Sequence, residues 1–401
     1  MLEQPVFGRR LRQLRTERGL TLAALAGEGM SQGYLSRLES GARQPTERAV
    51  AHLAAQLGIS PAELTETTAT SLARTLTLAT ALDQDEAGET LSEALKASEG
   101  EDPLLRWQAL WRVAEWRRRR QEYAEQRVCL DELVTLSAGI GLPELQARVL
   151  AELSRCMRNT GEITGAVDAA GRAYELAKNE KLPVRVRTST LLSLVSALAE
   201  AGRTPDAARH TDELLAVAAE EGSGPQWAQA LWTAASVRAR QGDRAIAAEL
   251  MDRAIQGFDG RDDLEVWMRL RISAARLDLL ADPPRTEAAQ RRVAEIQAAL
   301  PFAGAPSIEQ RLLAVRARMA VITGRADEAR ALLDRLVGFD DLLPYQDRIR
   351  LDVLRNRVLL LEGEQAAALA GLRELAEQAQ RNGNMALAAE IWRLVAESLA
   401  E

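Results

Sequence analysis

The 401-residue chain carries a period. Glycines in the strings RNTGEITGA, AEAGRTPDA, ARQGDRAIA, VITGRADEA and LLEGEQAAA stand at 161, 202, 242, 324 and 363, at intervals of 41, 40, 82 and 39 residues. The double interval leaves one position near 283, where the string DPP supplies the turn instead. Five residues after each glycine comes an alanine: Ala166, Ala207, Ala247, Ala329 and Ala368. A repeat of this length holds two helices and a tight turn, and a small residue at a fixed offset marks where the helices cross closely. One such pair cannot bury its apolar face alone, so the pattern commits the chain to a stacked array. It predicts an all-α protein with around seven helix pairs between residues 103 and 382, ended by a capping helix in MALAAEIWRLVAESLAE. Composition agrees, because aromatic residues make up only 4% while Ala, Leu, Arg and Glu dominate, as amphipathic helices require.

These features resemble tetratricopeptide repeats, lengthened beyond the usual ~34 residues by connections such as KLPVR and GSGPQ. The resemblance implies a right-handed helical solenoid in which the first helix of each pair lines a concave groove. Counting back six and thirteen residues from the turns puts Arg148, Arg155, Gln229, Arg276, Arg311, Arg318, Arg350 and Arg357 on that wall, with Asn159 and Trp232 on the same side. Guanidinium, amide and indole groups clamp carboxylates and peptide amides, so a peptide or other acidic ligand suits them. Arginine is also abundant enough to solvate both faces, and the pattern leaves the two readings open. The run Arg117–Arg120 reads as a solvated helix end, with Trp111 and Trp116 as packing residues.

Ahead of the array, FGRRLRQLRTERG places Phe7, Leu11 and Leu14 at helical spacing and stops at Gly19. Thr21 caps a short second helix, and Ser31 caps a third, QGYLSRLE, whose Leu35 and Leu38 face inward. ERAVAHLAAQLGI gives a fourth helix with Val50, Leu53, Ala54 and Leu57 inward, and Ser60 with Pro61 opens a fifth. The order LRQLRTERGLT, SQGYLSRLESGARQP and LAAQLGISPAEL resembles the lambda-repressor/Cro-type helix-turn-helix, the xenobiotic-response-element family. That resemblance implies a five-helix DNA-binding domain over residues 1–66, followed by linker helices over 67–102 and the repeat domain over 103–401. It implies that Gln32, Gly33, Ser36 and Arg37 read base edges, and that Arg43 and the backbone beginning at Ser31 meet phosphates. Gly33 departs from the pattern by offering no side chain, and Leu22 stands where many members carry a phosphate-binding Gln. The interval from Ala26 to Gly29 is also one residue short. Arg15 and Glu39 occupy positions that form a buried ion pair in the family, and His52 reads as a helix-surface or partly buried residue.

Charge divides unevenly. Residues 1–65 carry eight Arg against six Glu, a net of +2, so the remainder of this −7 chain holds −9. A mildly basic head favours a polyanion partner. The two histidines, His52 and His210, are far apart, Cys129 and Cys156 form no metal-ligand spacing, and no P-loop or nucleophile-elbow motif occurs. An enzyme is not expected, nor a metal or cofactor. No long uncharged run and no signal-peptide core appear, so a cytoplasmic protein without a membrane partner is expected. Taken together, the two resemblances point to peptide-sensing (RRNPP-like) regulators of Gram-positive bacteria. They imply a homodimeric transcription regulator on a palindromic double-stranded DNA operator, with affinity set by a peptide or small-molecule effector. The alternatives are a regulator whose repeats bind a partner protein and a scaffold whose head does not bind DNA.

Overall fold

The computed structural model describes residues 4, 6–61, 64, 72–97, 102–220, 222–302, 306–338 and 343–400. Among these, all regular structure is helical, with no strand, and no helix is long and apolar enough to cross a membrane. The chain divides into two compact units, Met1–Ala109 and Leu110–Glu401.

The first unit opens with α1 (Val6–Glu17), α2 (Leu22–Ala26), α3 (Gln32–Glu39) and α4 (Glu47–Leu57), and continues with α5 (Leu72–Leu78) and α6 (Gln84–Ala97). Thr21, Ser31 and Thr46 cap α2, α3 and α4, each hydroxyl accepting a backbone N–H three residues on. The expected apolar positions meet in one core: Phe7, Leu11 and Leu14 pack with Leu35, Leu38, Val50, Leu53 and Leu57, and Leu64 joins them. Leu22 packs against this core, which accounts for an apolar residue at that position. Most of the expected fifth helix, and residues 67–71 and 98–101 of the linker, lie outside the described residues. Gly8 sets the approach of α1 to α3, since a Cβ there would stand 2.2 Å from the Leu38 carbonyl oxygen.

Helix pairs follow: α7 (Pro103–Arg119) with α8 (Tyr123–Ile140), α9 (Pro143–Thr160) with α10 (Ile163–Asn179), and α11 (Val184–Glu200) with α12 (Thr204–Glu220). Next come α13 (Pro225–Gln241) with α14 (Arg244–Gln256), α15 (Leu264–Leu280) with α16 (Thr286–Ala299), and α17 (Pro306–Ile322) with α18 (Ala326–Asp334). The last pair, α19 (Tyr345–Leu361) with α20 (Gln365–Arg381), is followed by α21 (Met385–Ala400). All five periodic alanines are buried, and the Ser154 hydroxyl donates to the Ala166 carbonyl at 2.7 Å across one crossing. In the first pair a glutamine takes the glycine's place: Gln121, 40 residues before Gly161, adopts φ +62°. The irregular turn near 283 contains a cis Asp282–Pro283 bond. Apolar clusters succeed one another along the array, each shared by neighbouring helices, as a solenoid stabilised by nearest-neighbour contacts requires.

The array also touches itself. α9 packs on α19 and α11 on α21, contacts between segments about half the chain apart. Two turn glycines make this approach possible. Gly161 (φ +93°) faces the Tyr345 ring and Gly202 (φ +75°) faces Met385, and a Cβ at either would lie 2.9 Å from the nearest atom. The solenoid therefore closes through a full turn, with its first helices around a central space.

Candidate functional site

Two surfaces collect polar groups that the fold does not consume. On the first unit, α3 buries Leu35 and Leu38 and leaves Ser31, Gln32, Gly33, Ser36 and Arg37 exposed along its outer face. The Arg37 guanidinium has no hydrogen bond or ion pair among the described residues, and open space surrounds Gly33. Arg43 is exposed in the following turn, its guanidinium 5.1 Å from the Tyr34 ring centroid. The turn itself is held from the N-terminus, where the Gln4 amide donates to the carbonyls of Leu38 (3.0 Å) and Arg43 (2.7 Å). Beneath it, Arg15 clasps Glu39 with two bonds, Nε to Oε1 at 2.7 Å and Nη2 to Oε2 at 3.0 Å. His52 Nε2 lies 2.8 Å from the Ala26 carbonyl, tying α4 to the end of α2. The result is a rigidly seated helix whose outward groups are amide, hydroxyl and guanidinium.

The second surface is interior. Between α15, α17, α19 and α21 lies a cavity of about 100 Å³, walled on one side by Leu343, Leu354, Leu387, Ile391 and Leu394. Six arginines line it, Arg269, Arg276, Arg311, Arg318, Arg350 and Arg357, against two carboxylates, Asp347 and Glu390. Pairings with these two carboxylates are loose: Arg311 and Arg350 stand 3.6 and 3.8 Å from Asp347, and Arg318 3.6 Å from Glu390. Such distances exceed a hydrogen bond. Arg269 Nη1 lies 3.4 Å from Glu265, and Arg350 Nη1 donates to Gln346 Oε1 at 3.0 Å. The Nε atoms of Arg269, Arg311, Arg318 and Arg350 are buried without an acceptor, as are Gln310 Oε1 and Gln346 Nε2 without a partner.

Like charges dominate this space. The Arg276 guanidinium is pushed down to about 9, first by the Arg350 charge and then by burial. Burial, with the Arg311 charge behind it, lowers Arg269 to about 10. Burial pushes the Asp347 carboxyl upward, yet the surrounding arginines, Arg311 and Arg276 foremost, outweigh it and hold it below its usual range. Glu390 behaves likewise between Arg350 and Arg318. Among the described residues no group of His, Cys, Asp and Glu is placed to hold a metal ion.

Residues 6–67 match a family model described as a helix-turn-helix domain. The head is a helix-turn-helix domain. No curated protein matches the chain. Solved structures similar to it include the Rap conjugation gene regulator of plasmid pLS20 in complex with the Phr* peptide, 13% identical over 94% of this chain and 96% of that one, with a TM-score of 0.58. A Rap protein complexed with Competence and Sporulation Factor is 11% identical over 98% of both chains, with a TM-score of 0.55. Aspartyl phosphate phosphatase F from Bacillus subtilis is 13% identical over 99% of this chain and 95% of that one, with a TM-score of 0.50. At such identities the likeness is one of fold, a tetratricopeptide-like solenoid.

In the second unit, the solenoid brings five of the groove residues expected from sequence to one cavity: Trp232, Arg276, Arg311, Arg318 and Arg357. Arg350, read from the same offset, joins them. Arg148, Arg155, Asn159 and Gln229 do not line it; Arg148 is bound to Glu144 at 2.8 Å, and Arg155 to Glu152. Arg269 escaped the sequence reading although it precedes Arg276 by the same seven residues that separate Arg311 from Arg318. Asp347 and Glu390 were missed as well. The run Arg117–Arg120 is more engaged than a solvated helix end: Arg117 and Arg120 bind Glu122 and lie over the buried Trp116 ring, while Arg118 turns toward Glu152. Arg119 alone of the four has no such contact and is exposed.

Proposed function

We propose that this protein is a DNA-binding transcription regulator whose solenoid receives an effector in its central cavity. The observation that carries the reading is the union in one chain of an exposed polar α3 on a helix-turn-helix domain and an interior cavity with unmatched arginines. A helix of this kind enters the major groove, where Gln32, Ser36 and Arg37 reach base edges and Arg43 meets phosphate. One short reading helix gives too few contacts for operator affinity, so the protein acts as a homodimer on a palindromic site. Two neighbours of the same fold were solved with Phr* peptide and with Competence and Sporulation Factor, which supports a peptide-like occupant here. The partner-protein and scaffold alternatives make no use of the unmatched interior donors.

Footprinting on the region upstream of the protein's own gene, with and without cell extract, tests the reading. Specific, symmetric protection that Arg37→Ala abolishes, and that extract shifts, is the expected result. Absence of any specific footprint refutes DNA recognition; a footprint indifferent to extract in the intact protein refutes the effector.

A further inference from the structure

Three cavity helices repeat one motif. In RLRISAAR (269–276), RLLAVRAR (311–318) and RLDVLRNR (350–357), an arginine begins the segment and another ends it seven residues later, with small or apolar residues one turn along. Seven residues are two turns, so the two arginines share a face ~10 Å apart. The intervening Ile272, Val315 and Leu354 line the same cavity. Unmet donors lie at both ends of these segments. At the first position the Nε atoms of Arg269, Arg311 and Arg350 have no acceptor; at the second, Arg318 Nε has none, and neither Arg276 nor Arg357 forms a hydrogen bond or ion pair among the described residues. Two carboxylates stand against six arginines in the lining, and Glu265 reaches Arg269 from outside it at 3.4 Å, which leaves three positive charges unmatched.

We propose that the cavity binds a slender dianion, two carboxylates about two helical turns apart joined by an apolar middle. The inference rests on the effector reading and names the chemistry of the occupant. Each carboxylate accepts donors that now have none, and the apolar middle lies against the isoleucine, valine and leucine between the arginines. Two sources share this chemistry: an α,ω-dicarboxylic acid, and a short peptide with an acidic first residue and a free C-terminus.

Calorimetry on the full chain separates them, using sebacate and acetyl-Asp-Leu-Leu as dianions, succinate as a dianion lacking the spacing, and decanediol as the uncharged body. At least one of the first two is expected to bind about tenfold or more tighter than both controls, and the tighter of the pair names the source. Arg276→Gln should weaken that binding about tenfold, while the ligand-free variant melts no lower than the parent, because no ion pair is lost and a like charge is removed. A structural role for Arg276 predicts a lower melting temperature and unchanged binding. Decanediol binding as well as sebacate overturns the charge requirement, and succinate doing so overturns the spacing. Silence from both dianions overturns the proposal, whereas the effector reading falls only if operator affinity also ignores cell extract.

Discussion

The Arg15–Glu39 pair holds α3 in place, and Glu39→Gln measures how strongly. Arg15 spends two donors on Glu39 and a third on the Leu20 carbonyl at 3.0 Å, so one guanidinium joins α1, α3 and the loop before α2. The side chains are only 14% and 8% exposed, too buried for water to replace a lost bond. Removing one partner of a buried pair costs about 3–5 kcal/mol. Glutamine keeps one acceptor oxygen but turns an N–H₂ toward the guanidinium, which places the cost somewhat below that range, at roughly 2–3 kcal/mol. At 1.4 kcal/mol per decade, α3 should open roughly 30 to 140 times more often. The seven tryptophans all lie at or beyond residue 107, so indole emission does not report on α1 to α4. Hydrogen exchange at the amides of Leu35 to Glu39 does. Operator affinity should fall with it, although Gln32, Ser36 and Arg37 are unchanged. Arg15→Met combined with Glu39→Leu should restore much of the protection, since an apolar pair of similar volume avoids stranding a charge. Acceleration below about fivefold, or a double variant as open as the single one, refutes the view that this pair seats α3.

Arg43→Ala should weaken binding to every DNA sequence alike and reduce the salt slope of log K by ~0.9 for each lost phosphate contact; a change confined to one operator position refutes a phosphate role. Gly202→Ala should destabilise the solenoid by about 1–3 kcal/mol, because it sits at φ +75° with Met385 in the way. Urea titration followed by tryptophan emission reads this, and a loss under about 0.5 kcal/mol means that the contact between α11 and α21 does not hold the turn closed. Burial pushes the Cys156 thiol up to about 12 from an ordinary 9.0. The unfolded chain ionises first, so the folded state binds more protons above pH 9.0, and stability from this group is full below that pH and lost as pH rises toward 12. The stability difference between the parent and Cys156→Ala should fall between pH 8 and pH 10; a flat difference refutes the assignment.

The head was legible because its signals are local. Thr21 and Ser31 precede short apolar runs, and the inward positions of α1, α3 and α4 follow the helical period, so caps and core could be read directly. Gly8 could not. A glycine inside a helix looks like a weak point, and its reason is a carbonyl thirty residues away. The solenoid shows the same division. Its period revealed the pairs and five cavity residues, but Gln121 in a glycine's conformation is invisible to a search for glycine. Arg148 and Arg155 occupy the same repeat offsets as Arg311 and Arg318 and still miss the cavity. What selects among equivalent positions is closure: α21 lines the same cavity as α15, α17 and α19 and supplies Glu390 from outside the repeat, where no offset could find it. Closure depends on contacts between distant segments, and periodicity carries no record of them.

The choice of arginine over lysine in that cavity is itself open to test. The chain uses only three lysines, Lys96, Lys178 and Lys181, among 51 basic residues. A guanidinium keeps its charge where an ammonium gives up its proton. Surroundings that press Arg276 down to about 9 would press a lysine in the same place from its lower starting value, leaving part of the population neutral near pH 7. Arg276→Lys therefore makes dianion binding depend on pH. Raising pH removes the proton, the cavity loses a positive charge, and affinity for the bound dianion should fall between pH 6 and pH 8, while the parent stays level. Binding measured by calorimetry at both pH values decides the matter. A variant as level as the parent refutes the like-charge pressure at Arg276, and equal decline in both proteins refutes its assignment to this residue.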